Sequence, residues 1–280
     1  MKKKYLLIGM AVLVLSGCIV RFVYNHLDWI IPWYVSSFID LNDDQEDLLD
    51  KKLEVQLKWH RVTQLPKYSK LLKEVGSAIQ NGLTMEDLDR FHITMRGYWQ
   101  DLVRHIGPDI AGILSTASDE QLDEMLKKFE ERHEKFREKY IDLPEEERRE
   151  KKVSRMIRFL EFCMDEVNEK QEQIVDQWSR DLKNISSARF RYIKMRHNMF
   201  KEMLKRRKEK AWFEKELCDL LFFKRESWPK DFKEMAEHNR ELTKRVFIKI
   251  NKCMSDDQRE EFIETVLSFA EDFDELAKET

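Results

Sequence analysis

The sequence predicts an all-α protein, an elongated bundle of long amphipathic helices behind a cleaved lipoprotein signal peptide. Three observations carry that fold class. Gly (7) and Pro (5) are scarce in 280 residues while 38% of the chain is charged, the composition of long helices. Apolar residues recur at spacings of three and four and do not alternate with period two for long. Three segments open with a Ser or Asn cap, two acids and a Gln three residues after the cap, a helix-start chemistry.

The first element is the leader. Lys2, Lys3 and Lys4 precede an eleven-residue apolar run, Tyr5 to Leu15, too short for a bilayer that needs roughly 20 apolar residues. Leu15-Ser16-Gly17-Cys18 then reads as a bacterial lipobox. Its small residues admit a peptidase to the backbone, and the Cys18 thiol accepts the diacylglyceryl group. Residues 1–17 are thus expected to be a signal peptide, and 18–280 a lipid-anchored all-helical domain. Position 19 is Ile rather than Asp, which points to the outer membrane, facing the periplasm. Cleavage removes three of the 51 Lys/Arg and none of the 54 Asp/Glu, leaving a formal charge near −6.

The stretch behind Cys18 is not a second span. Arg21, His26 and Asp28 would each be costly in hydrocarbon, and Pro32 interrupts a helix there. Two placements stay open. Leu27, Trp29, Ile30, Ile31, Trp33, Tyr34 and Phe38 could fill the core, or Trp29, Trp33 and Tyr34 could form a membrane-proximal collar at the lipid headgroups.

Helices are expected near 24–39, 42–65, 67–81, 84–106, 118–140, 145–185, 187–224, 229–252 and 255–278. Their starts include Asn42-Asp43-Asp44-Gln45, Ser118-Asp119-Glu120-Gln121 and Ser255-Asp256-Asp257-Gln258, with Thr84 to Asp87 a looser copy. The cap oxygen takes the N3 amide, the Gln reaches back, and the acids face the positive helix end. Stops are read at Pro66, Gly82, Gly107-Pro108, Pro144 and Trp228-Pro229. The longest seam runs Val153, Ile157, Leu160, Met164, Val167, Gln171, Ile174, Trp178, Leu182, Ile185, with Gln171 as a polar register residue. Further seams run Leu122 to Tyr140 and Phe262 to Leu276. Each apolar stripe needs a neighbour, which requires a bundle.

Two resemblances follow from these residues. Arg21 to Val35, reading RFVYNHLDWIIPWYV, with Trp59-His60-Arg61 and Leu65-Pro66-Lys67-Tyr68 behind it, resembles the signature of an uncharacterised family of proteobacterial lipoproteins. In that family a lipobox precedes a YNxLDWLxPWY stretch, an acidic Gln-containing helix start and WHRxxxLPxY. Beyond about residue 150 the fit is only in helical character. The resemblance implies class and location but no activity. The Leu-(Thr/Ser/Asn)-x-x-Gln boxes are also similar to those of Spy-type periplasmic chaperones, over about five residues each.

Catalytic patterns are missing from the sequence. The seven histidines show no i, i+4 pair around a Glu, no cysteines lie close enough for a zinc site, and there is no phosphate loop or nucleophile elbow. No metal and no cofactor is expected. After lipidation Cys163, Cys218 and Cys253 remain, which allows at most one bridge, and they read as small buried apolar residues. Charge is more informative. Residues 186–210 carry ten Lys/Arg against two Glu, and residues 256–279 carry ten acids against Arg259 and Lys278. Arg196, Lys201, Lys205, Arg206, Arg207 and Lys208 are therefore candidates for a surface facing anionic lipid, lipopolysaccharide or an acidic protein. The opposing reading pairs this stretch with the acidic C-terminal helix, or leaves it solvated. Nucleic acid is no partner for an envelope lipoprotein. A non-catalytic binding or chaperone-like adaptor is expected, with an assembly accessory or an envelope-polymer hydrolase as alternatives.

Overall fold

A computed structural model describes residues 19–279; Cys18 and the leader lie outside the described residues. Residues 19–24 are helical. Eleven further α-helices follow: α1 Leu27–Ser36, α2 Asp43–Thr63, α3 Leu65–Asn81, α4 Met85–Thr116, α5 Asp119–Tyr140, α6 Glu145–Met164, α7 Glu169–Asp181, α8 Ser186–Leu204, α9 Lys210–Leu221, α10 Lys230–Lys252 and α11 Asp256–Lys278. One 3-10 turn, Arg225–Ser227, lies before α10. There is no strand among the described residues. The chain is an all-α helical bundle.

Four expected boundaries were displaced, each for a local reason. The expected helix 24–39 breaks around Asn25 and His26, so that α1 spans only Leu27–Ser36. The stop at Gly107-Pro108 is overrun, because α4 continues to Thr116 with Pro108 inside it. Pro108 removes one i→i−4 hydrogen bond, while Gly107 lets α9 approach so closely that a Cβ there would clash with Cys218 Sγ. The expected helix 145–185 is two helices. Asp165 takes φ 67 and ends α6, and Asn168 caps α7 by accepting the Gln171 N–H at 3.0 Å. Gln171 is therefore an N3 capping residue and not a register residue in mid-helix. The expected helix 187–224 also divides, since residues 205–209 form a turn between α8 and α9.

Capping boxes with both reciprocal hydrogen bonds open α2, α4, α5, α7 and α11. Four of them close on each other in pairs. Gln45 and Gln121 exchange amide hydrogen bonds at 3.2 and 2.8 Å, tying the starts of α2 and α5. Gln171 and Gln258 do the same at 2.9 and 3.0 Å for α7 and α11. In each pair the later Gln also donates to a carbonyl two residues before the other cap, Asp40 at 2.5 Å and Glu166 at 3.0 Å. A buried amide left without partners costs about 1–3 kcal/mol, so these closed pairs fix which helix starts meet. This accounts for the chaperone-like boxes as capping.

Two main cores result. One gathers Ile79, Leu83, Phe91, Leu160, Met164, Val175, Ile250 and Val266 from α3, α4, α6, α7, α10 and α11. The other gathers Ile39, Ala111, Leu122, Leu126, Met203, Leu204, Phe213 and Leu217. Cys163, Cys218 and Cys253 are free; Cys163 is buried and the other two are partly buried. The acidic helix α11 lies along α3 and the N-terminal residues, with Lys73–Asp274 at 2.6 Å and Arg21–Asp272 at 2.8 Å. Among the described residues it forms no ion pair with the basic stretch 186–210.

Candidate functional site

Residues 19–38 hold the most concentrated exposed apolar surface. Ile19, Phe22, Val23, Trp29, Trp33 and Tyr34 are all exposed, on the two short helical stretches either side of the turn at Asn25 and His26. Phe22 packs on His26 with ring centroids 4.2 Å apart, and Trp29 stacks on Trp33 at 6.5 Å. Trp29 is 67% exposed, Trp33 63% and Tyr34 52%. Placement of these three in the core is therefore incorrect. The opposite side of the segment does pack inward: Val35, Phe38 and Ile39 join the second core. Arg132 from α5 fixes this side, its guanidinium 3.6 Å from the Phe38 ring while it donates to Tyr34 Oη and Ser37 Oγ, each at 3.2 Å. Between α1 and α2, beside Trp29 and Trp33, lies a cavity of about 420 Å³ with Asp28, Glu46 and Asp50 among its lining residues.

The segment is also clamped at its front. The Arg21 guanidinium reaches the buried Asp272 carboxylate at 2.8 Å. Asn25 donates to Glu279 at 2.9 Å and accepts from Arg61 at 2.9 Å, and Arg61 pairs with Glu279 at 3.1 Å. His60 stands between two phenols, with Tyr24 Oη 3.0 Å from Nδ1 and Tyr68 Oη 3.3 Å from Nε2. Burial lowers the His60 pKa, so the ring is held neutral, one nitrogen donating and the other accepting. Burial also pushes Tyr24 up to about 12, opposed by the nearby Arg61 charge and reinforced by Tyr68. The YN and WHR stretches of the sequence thus meet in one network that docks residues 19–26 onto α2, α3 and the end of α11. Tyr24 and His60 are 36 residues apart, so no local pattern in the sequence joins the two stretches.

The basic stretch is arranged differently from expectation. Lys205 to Lys208 do not wrap around a helix; they form the turn after α8. There Arg207, whose side chain is 11% exposed, donates to the Ala117 carbonyl at 3.1 Å and pairs with Asp119 at 2.6 Å. Lys208 Nζ donates to the Ser115 carbonyl at 2.7 Å. Both satisfy the open carbonyls where α4 ends. Arg196 is partly buried, donates to the Leu220 carbonyl at 2.6 Å and stacks on Phe223 at 3.7 Å. Lys205 and Arg206 pair with Glu202 and Glu209 at 2.6 and 2.7 Å, and Arg206 lies 3.8 Å over Trp212. Lys201 is exposed. The six residues therefore do not form one free cationic face, because Arg196, Arg207 and Lys208 bind the protein's own helix ends.

Among the described residues no three His, Cys, Asp or Glu side chains gather where they could hold a metal ion. His133 and His197 pack edge to face at 5.0 Å between α5 and α8, both with pKa values lowered first by burial. No described helix is long and apolar enough to cross a membrane.

A family model described as a family of unknown function, DUF6279, matches residues 37–233, and the chain belongs to that family. The match begins behind the aromatic segment and extends well past residue 150, further than the sequence resemblance reached. No curated protein and no solved structure matches the chain.

Proposed function

We propose, since membership of this family assigns no activity, that the chain is a lipid-anchored envelope protein that lies against a membrane surface and acts by binding rather than catalysis. In this reading Cys18 carries the acyl chains, the outer membrane is the anchoring membrane, and the helical body faces the periplasm as an adaptor. The observation that carries it is the outward stacking of Trp29 on Trp33, with Tyr34 exposed beside them, in the segment directly behind Cys18. Amphipathic rings of this kind are favourable at the headgroup level. The diacylglyceryl group would supply the stable anchor, and the aromatic contact would set how the helical body lies against the bilayer.

Charge plays the smaller part at this face. Asp28, Glu46 and Asp50 stand beside the tryptophans, and Arg196, Arg207 and Lys208 of the basic stretch are bound to carbonyls elsewhere. The favoured bilayer surface is therefore zwitterionic, and attachment is expected to survive high salt, unlike counterion-driven binding. The test has two arms. Cys18→Ala is expected to abolish labelling by radiolabelled palmitate, and the chain from residue 19 is expected to float with phosphatidylcholine vesicles at both 0.1 and 1 M salt. Trp29→Ala/Trp33→Ala should lose flotation at least tenfold while keeping its melting temperature. Labelling that persists without Cys18 would refute the anchor, and undiminished flotation of the double variant would refute the docking face.

A further inference from the structure

A second site lies away from the aromatic segment, between α7 and α10. The two helices run antiparallel: Trp178 Nε1–H donates to Thr243 Oγ1 at 3.1 Å, and the Lys183 N–H, just past α7, donates to Asn239 Oδ1 at 2.9 Å. Between them is a cavity of about 440 Å³, within the ~300–1,000 Å³ range of small-molecule sites. Ile174, Trp178, Leu242 and Val246 supply its apolar lining. At 1.5 Å per residue, Lys170 stands roughly 12 Å before Trp178, level with the C-terminal end of α10. Lys249 lies there, with Arg245 one turn back.

Lys170, Arg245 and Lys249 are all exposed, and among the described residues none forms an ion pair with a carboxylate. The one acid lining the cavity, Asp181, sits at the opposite end, where its side chain accepts from Gln177 at 2.9 Å. The groove therefore has a cationic end, an apolar middle and a single acid at its far end. We infer that this groove binds a small anionic amphiphile, its phosphate or carboxylate between Lys170, Arg245 and Lys249 and its chain over Ile174, Val246 and Trp178. A free inorganic anion would leave the apolar lining wet, and a cationic amphiphile would meet three like charges.

Photoaffinity mapping tests this on the full chain in phosphatidylcholine nanodiscs, with decyl phosphate carrying a chain diazirine as probe. Labelling is expected in the peptides covering 170–181 and 242–249, displaced by excess decyl phosphate but not by inorganic phosphate or decyltrimethylammonium. Arg245→Glu/Lys249→Glu should reduce that labelling at least tenfold relative to labelling of residues 19–38. If label is absent from both peptides, if the cationic amphiphile displaces it equally, or if an acidic amphipathic peptide crosslinks there while decyl phosphate does not, the inference is overturned. The competition arms on the unmutated chain decide the matter even where the double variant fails to fold.

Discussion

Trp33 and Arg207 both stand in segments whose composition suggests a surface role, yet Trp33 is 63% exposed while the Arg207 side chain is 11% exposed. The aromatic segment has few polar partners for its outward rings, and its inward side is already filled by Val35, Phe38 and Ile39. The basic turn meets open carbonyls at Ser115 and Ala117, about 90 residues away in sequence, and two of its cations, Arg207 and Lys208, are drawn into them. A cation run is thus a poor guide to a binding surface where a helix ends nearby. The aromatic rings on the short, clamped α1 do stay exposed.

The largest effect expected on this contrast comes from deleting equal chemistry in the two regions. Phe213 is fully buried at the start of α9, directly after the basic turn, and Phe213→Ala should cost about 3–5 kcal/mol in urea unfolding. Trp33→Ala removes a larger ring and should stay within about 1 kcal/mol, as an exposed position does. Equal losses would place Trp33 in the core after all.

Arg207→Glu is next, at about 2 kcal/mol, because it strips the Ala117 carbonyl of its donor and sets a carboxylate beside Asp119. For a chain of this size that lowers the melting temperature by about 4–8 °C. An unchanged melting temperature would return the turn to the free surface.

How much of this was legible in the sequence depends on distance along the chain. The helical class and three of the capping boxes, at Asn42, Ser118 and Ser255, follow from residues within one turn of each other. The cap at Asn168 carries the same chemistry but was hidden inside an apolar seam, whose spacing continues across the break at Asp165. Periodicity reports which side is apolar; it does not report that the backbone has turned. The exposure of Trp29 and the closure of Arg207 on Ala117 both depend on which helix arrives from elsewhere, as Arg132 and the end of α4 do here. The clamp of Arg21 on Asp272 spans 251 residues, beyond any local pattern.

Acid should separate the regions in a third way. His60, at the clamp, has its pKa lowered by burial. A histidine kept neutral in the fold contributes stability that is complete above its unfolded value near 6.5 and is lost as the pH falls toward its folded value. Protection factors of residues 20–38, taken relative to the intrinsic exchange rate at each pH, should therefore fall between pH 7.5 and 5, and His60→Asn should flatten that fall. The basic turn has no histidine, and Lys205 to Lys210 should respond less. The smallest effect expected is Lys205→Glu, within about 0.5 kcal/mol, because its pair with Glu202 is exposed on both sides.

The most direct test uses the seven tryptophans as reporters. With 5-fluorotryptophan incorporated in the chain from residue 19, phosphatidylcholine vesicles containing a nitroxide headgroup lipid should broaden the Trp29 and Trp33 signals. The signals of Trp178 and of Trp212, which lies beneath Arg206 at the basic turn, should stay sharp. Broadening of Trp212 with Trp29 and Trp33 unaffected would contradict the account, because it would make the basic turn the membrane face and leave the aromatic segment without a role.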